Sequence, residues 1–166
     1  MKFVAGWYLI YTRPRHERKV ASHLEENNIP FFLPETRVTK KWYDRTKIIN
    51  VPLFPSYVFV LINKVEDYFT SLQCESVTSY VRFGKEIARV KDETINNLKM
   101  VVGSGNNVEV SCEQFRPGQE LLIQRGVFAG LKCEVVEHQS RKKILVRINL
   151  LNRSVLADIS YNLVAI

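Results

Sequence analysis

The stretch Val51-Pro-Leu-Phe-Pro-Ser-Tyr-Val-Phe-Val60 decides how this 166-residue chain is read. Its second half predicts a strand, since Tyr57, Val58, Phe59, Val60 and Leu61 are aromatic, β-branched or apolar. Its first half cannot be a central strand, because Pro52 and Pro55 have no N–H to give to a ladder. Phe54 is therefore expected in a stiff, extended run just ahead of a strand, with its ring partly exposed. An apolar knuckle in such a place needs a partner to cover it.

Upstream, Trp7 to Thr12 also predicts a strand. Trp7, Leu9 and Tyr11 fall on one face and Tyr8 and Ile10 on the other, so both faces are apolar and the strand is central. The short apolar run around it lacks a small-residue cleavage site and reads as structure, not as a signal peptide. Arg15 to Asn28 predicts a helix with Val20, Ala21 and Leu24 on its apolar side, stopped by Asn27-Asn28 and Pro30. Phe31 to Trp42 is extended, Tyr43 to Thr46 turns, and Lys47 to Val51 returns. That hairpin has a basic tip: Arg37, Lys40, Lys41, Arg45 and Lys47 face only Asp44.

Downstream, Val65 to Gln73 predicts a short helix, Val77 to Phe83 a strand closed by Gly84, and Lys91 to Val102 a helix. Gly103-Ser-Gly-Asn-Asn107 is the best break in the chain. After Pro117 come short strand-like runs separated by turns, the pattern of a small β-barrel. The expected fold is α+β: an antiparallel sheet flanked by helices over residues 1–103, a linker over 104–116, and a barrel over 117–166. Val135, Val136, Ile144, Val146, Ile148, Val155 and Ile159 are β-branched and favour strands over helix in the last segment.

Hydrophobic residues make up 46% of the chain, enough for a packed core. The net charge is +7, and residues 1–50 hold ten Lys/Arg against five Asp/Glu, which points to a polyanionic partner. Cys74, Cys112 and Cys133 are widely spaced and fit a reducing cytoplasm, without zinc spacing to the three histidines. No apolar run approaches the ~20 residues of a membrane span. No nucleophile–base set, phosphate loop or metal cluster is present, so the chain is read as a non-enzyme with no cofactor and no metal.

The Trp7-Tyr8 strand, the Phe54-Pro-Ser-Tyr57 entry to a later strand, Val77-x-x-Tyr-Val-Arg-Phe-Gly84, and a barrel with Gly126-Val-Phe128 resemble the NusG transcription elongation factors. The resemblance covers nearly the whole chain. Trp7-Tyr-Leu-Ile-Tyr11, Pro52-Leu-Phe-Pro-Ser-Tyr-Val-Phe-Val60 and Tyr80-Val-Arg-Phe-Gly84 are similar in particular to the operon-specific paralogues of the RfaH and UpxY type. General members usually have Gly where this chain has Ser56, and the barrel's KOW motif usually has Gly where Cys133 stands.

The resemblance implies an N-terminal domain docked on the RNA polymerase clamp helices of the largest subunit, through an apolar pocket. The matching positions are Tyr11, Phe54, Pro55, Tyr57 and Phe83; the alternative is that all five are core. Tyr68, Phe69 and Thr70 match the contact to the second-largest subunit, with core packing again the alternative. Arg13, Lys19 and His23 match positions that read the non-template DNA strand at a pause site, with Arg15 and His16 as neighbours. The resemblance further implies a monomer that suppresses pausing and termination in a surface-polysaccharide operon. Its barrel would take a small-subunit ribosomal protein or a termination factor. A general elongation factor and an RNA- or ribosome-binding module are the competing readings.

Overall fold

A computed structural model describes residues 4–105, 108–113, 116, 118–123, 129–148, 151 and 153–158. It divides into two compact units, Met1–Asp92 and Glu93–Ile166.

The first unit is built on a sheet of order β2-β5-β1-β6, from Phe31–Phe32, Tyr57–Ile62, Gly6–Thr12 and Val77–Tyr80. β9 (Arg89–Val90) pairs with β1 as well, and all pairings are antiparallel. β1 is therefore central, as its two apolar faces require. The register sets Tyr11 opposite Tyr57 and Leu9 opposite Phe59. One face carries Tyr8, Ile10, Val58, Val60 and Tyr80, and α1 (Glu17–Glu26) packs on it through Val20 and Leu24. Beyond the Asn27 C-cap of α1, Asn28 takes φ 56°. Ile29 N–H donates to Leu24 C=O (2.9 Å) and Asn28 N–H to Glu25 C=O (3.0 Å), a Schellman closure. Leu24 and Ile29 are both buried, so the stop also supplies core.

On the other face Phe59 is fully buried beneath Phe32 and Phe54, with ring centroids 6.1 and 5.9 Å away. α2 (Val65–Leu72) starts where Asp67 Oδ2 accepts the N–H groups of Asn63 and Lys64, both at 3.1 Å. β3 (Glu35–Lys41) and β4 (Thr46–Pro52) form a separate two-stranded hairpin. Pro52 is tolerated at the end of β4, opposite Glu35. The run expected as a single strand to Phe83 breaks at Val81, whose N–H donates to Leu9 C=O. Arg82–Phe83 then forms β7, paired with β8 (Glu86–Ile87) across Gly84.

The second unit holds α3 (Asp92–Gly103) from its second residue on and a five-stranded antiparallel sheet of order β10-β14-β13-β12-β11. Its strands are Val108–Ser111, Arg153–Asp158, Arg141–Ile148, Lys132–His138 and Gln119–Leu122. β10 lies inside the stretch expected as linker: Val108 and Val110 alternate with Glu109 and Ser111, enough for four residues to pair with β14. Leu145, Leu156 and Val136 pack on one face, and Ile144, Val146, Ile148 and Val155 are buried on the other.

Cys133, where the resemblance expects glycine, is buried in β12 opposite Leu121. Burial, with the Glu134 charge beside it, pushes its thiol up to about 11. Glu134 takes a two-point fork from Arg147 (2.7 and 2.9 Å) and the Gly118 N–H (3.0 Å). The Arg147 hydrogen bond holds the carboxyl below its usual range. Gly118 has no room for a side chain: a Cβ there would sit 2.5 Å from Val135 C=O. Gly126, Phe128 and Ile159 lie outside the described residues.

Candidate functional site

The turn that opens the decisive stretch is made by Pro55 and Ser56. Tyr57 N–H donates to Phe54 C=O at 3.1 Å, and Ser56 takes φ 68°. Proline at the second turn position and positive φ at the third are the signature of a type II turn, where glycine is the usual third residue. Ser56 is held there from two sides. Thr12 N–H donates to its C=O at 2.8 Å, and its own N–H donates to Glu17 Oε1 at 2.6 Å. Glu17 is the first residue of α1 and is 5% exposed. Sequence reasoning passed over it, although a carboxylate in a first helical turn is placed to accept orphan N–H groups.

The turn folds Phe54 back over Phe59. Phe54 is 3% exposed, which corrects the expectation of a partly exposed ring. What the turn leaves in solvent is different. Pro55 is exposed, Tyr57 is half-buried, and Tyr11 is 38% exposed with its ring 5.3 Å from that of Tyr57. Phe83 is 83% exposed on the β7–β8 hairpin, which β6 leads into beside β1. Tyr11 and Tyr57 thus form a cross-strand aromatic pair at the open end of the two central strands.

On α2 the predicted residues separate. Tyr68 packs against the core and lies 4.9 Å from Tyr80, whose hydroxyl shares a 2.6 Å hydrogen bond with Ser71. Burial pushes the Tyr80 phenol well above its ordinary range. Phe69 is 60% exposed and, with Val65 and Leu72, makes an uncovered apolar stripe at helical spacing. Thr70 is half-buried, and its C=O meets His23 Nε2 at 3.0 Å.

His16, which precedes α1 as its N-cap, and Lys19 and His23 on the helix follow one another at spacings of three and four, with Lys19 exposed and both histidines half-buried. His16 Nδ1 is 3.1 Å from Ser76 Oγ, so both imidazoles also have structural partners. Arg13 and Arg15 are exposed just before the helix, Arg15 at φ 64°. The N-terminal unit thus presents an aromatic patch, an apolar helix stripe and a cationic helix edge. Among the described residues no helix is long and apolar enough to cross a membrane.

The profile of the family described as transcription termination factor NusG matches residues 5–99, more than half of the chain. Among solved structures, Thermotoga maritima NusG is 22% identical, over 93% of this chain and 94% of that one, with a TM-score of 0.49. The MjSpt4:Spt5 complex in conformation A is 12% identical over 92% and 99%, with a TM-score of 0.34. The chain belongs to the NusG family of transcription factors. As such it acts on RNA polymerase without being an enzyme.

Proposed function

We propose that the chain binds the transcription elongation complex and keeps RNA polymerase moving through pause and termination sites. The clamp helices of the largest subunit cover Tyr11, Pro55 and Tyr57 and reach Phe83 on the β7–β8 hairpin, while Phe54 is buried against Phe59. The single observation behind this reading is the half-open Tyr11–Tyr57 pair, 5.3 Å apart on the two central strands. Aromatic rings give large contact area at low entropy cost, and the Pro55 turn is stiff before any partner arrives. The Phe69 end of α2 reaches the second-largest subunit. A factor touching both sides of the DNA channel stabilises the closed clamp over the open, paused state, and so acts by population shift.

Arg13, Lys19 and His23, with Arg15 and His16 beside them, take the non-template DNA strand at the pause. Cations and planar groups together suit single-stranded nucleic acid. The Tyr-Val-Arg-Phe-Gly segment and Ser56 favour an operon-specific paralogue of the RfaH and UpxY type over a general factor, in a surface-polysaccharide operon. The polymerase-binding part is residues 1–103, with the small β domain free to take a ribosomal protein or a termination factor.

Pull-down from purified components tests the reading. The intact chain and residues 1–103 should both retain core RNA polymerase. Retention of ribosomal subunits or free RNA with no polymerase would favour an RNA- or ribosome-binding module. Recruitment at every transcribed gene, instead of one pause element, would favour the general factor.

A further inference from the structure

The β3–β4 hairpin has no part in the polymerase reading, yet its tip is unusual. Trp42 is 60% exposed and Tyr43 is fully exposed. Tryptophan is highly buried on average, so two adjacent uncovered rings at a turn need a reason. Around them stand Arg37, Lys40, Lys41, Arg45 and Lys47, with Asp44 the one carboxylate between residues 37 and 47. None of the five cations has a carboxylate partner among the described residues. Lys40 and Lys47 are direct cross-strand partners. Like charges in that position repel and weaken a hairpin that is marginal by itself. Lysines alone would guard an edge against strand pairing. They give no use for an exposed indole at the same tip.

The root of the hairpin is fixed to α1. Arg18 donates to Glu35 Oε1 from Nε (3.0 Å) and to Asn50 C=O from Nη2 (2.9 Å). Arg18 neighbours Lys19, so two hydrogen bonds tie the cationic edge of α1 to the root of the hairpin. Seven residues of β3 extend it by about 20 Å.

We infer that the hairpin tip is a second site for single-stranded DNA, in which Trp42 and Tyr43 stack on unpaired bases while Lys40, Lys41, Arg45 and Lys47 hold the flanking phosphates. Rings and cations interleaved in this way match the chemistry of an unpaired strand; a duplex hides its base faces. The choice of DNA rests on the proposed role of α1, whose strand the hairpin would continue to hold.

The test is a titration of the intact protein with (dT)12, a duplex of equal length, and (rU)12, read by tryptophan fluorescence wherever Trp42 is present and, for every variant, by the anisotropy of a dye-labelled oligonucleotide. Trp7 is 8% exposed and Trp42 60%, so quenching reports on the tip. Single-stranded DNA should quench Trp42. Trp42→Ala and Tyr43→Ala should each weaken binding about tenfold, on the scale of one stacked base. Trp42→Phe should restore most of the affinity. Lys40→Gln should lower the salt-dependence slope by about 0.7, the loss of one phosphate on a single strand. Lys19→Ala reports on α1 separately. Loss of binding in Lys19→Ala with wild-type affinity in the Trp42→Ala, Tyr43→Ala double variant would overturn the hairpin site and leave the α1 reading standing. Loss in the double variant with no change in Lys19→Ala would support the hairpin site and remove the α1 reading. Absence of quenching, equal binding of duplex, or tighter binding of (rU)12 would each overturn the inference.

Discussion

At the scale of single residues, Phe54 and Phe83 separate structure from docking. Both are phenylalanines in the segments that resemble the family's pocket, but one is 3% and the other 83% exposed. Phe54→Ala should cost about 3–5 kcal/mol of folding stability, as removal of a buried ring does. Phe83→Ala should stay within about 0.5 kcal/mol of wild type in urea unfolding. Ser56 is the opposite case, a residue strained by its own backbone at φ 68°. Ser56→Gly should stabilise the fold by about 0.5–1 kcal/mol, since the relief of the left-handed penalty exceeds the added chain entropy. A lower melting temperature for this variant would show that the Glu17 contact already removes the strain. The cysteines give a third check. Cys133 is buried with its thiol at about 11, whereas Cys112 is exposed. In the native protein a disulfide reagent should label Cys112 first, and Cys74 and Cys133 only on unfolding. Fast labelling of Cys133 would contradict its place in β12.

At the scale of elements, the strands that alternate or run apolar were legible, and so were the three helices. β1 read as central because both its faces are apolar, and the register with β5 bears this out. What stayed hidden depends on contacts distant in sequence. Two prolines around Phe54 predicted a stiff extended run; the chain instead turns at Pro55-Ser56, and the turn is held by Thr12 and Glu17, some 40 residues away. Local propensity carries no information about such anchors. β10 was missed because four alternating residues between polar runs give too short a period to recognise. The Glu134–Arg147 fork joining β12 and β13 was likewise invisible, being a diagonal cross-strand pair. It makes a pH prediction. The folded-state pKa of Glu134 is depressed, so its contribution is fully present above the unfolded value of about 4.3 and is lost as pH falls through the folded value. Glu134→Gln should lower stability by about 1 kcal/mol at neutral pH, and the gap should close below about pH 4. A gap independent of pH would assign the loss to the Gly118 contact.

At the scale of the whole molecule, the two compact units differ in make-up: the first carries the exposed aromatic rings Tyr11, Phe69 and Phe83, and the second combines most of α3 with a five-stranded sheet. Here residues 132–138, 141–148 and 153–158 are strands, as their β-branched residues require. NMR shifts of the free protein should be of β type across these three segments; helical shifts would mean that the resting chain has a different fold. Both the aromatic patch and its partner can be probed together in the intact chain. The most direct measurement is the affinity of core RNA polymerase for the wild type and for Phe83→Ala and Tyr57→Ala, taken alongside their melting curves. Each variant, folded, should bind about 30-fold or more weakly, the loss of about 2 kcal/mol expected of a central anchor. Wild-type affinity in a folded Phe83→Ala, Tyr57→Ala double variant would contradict it.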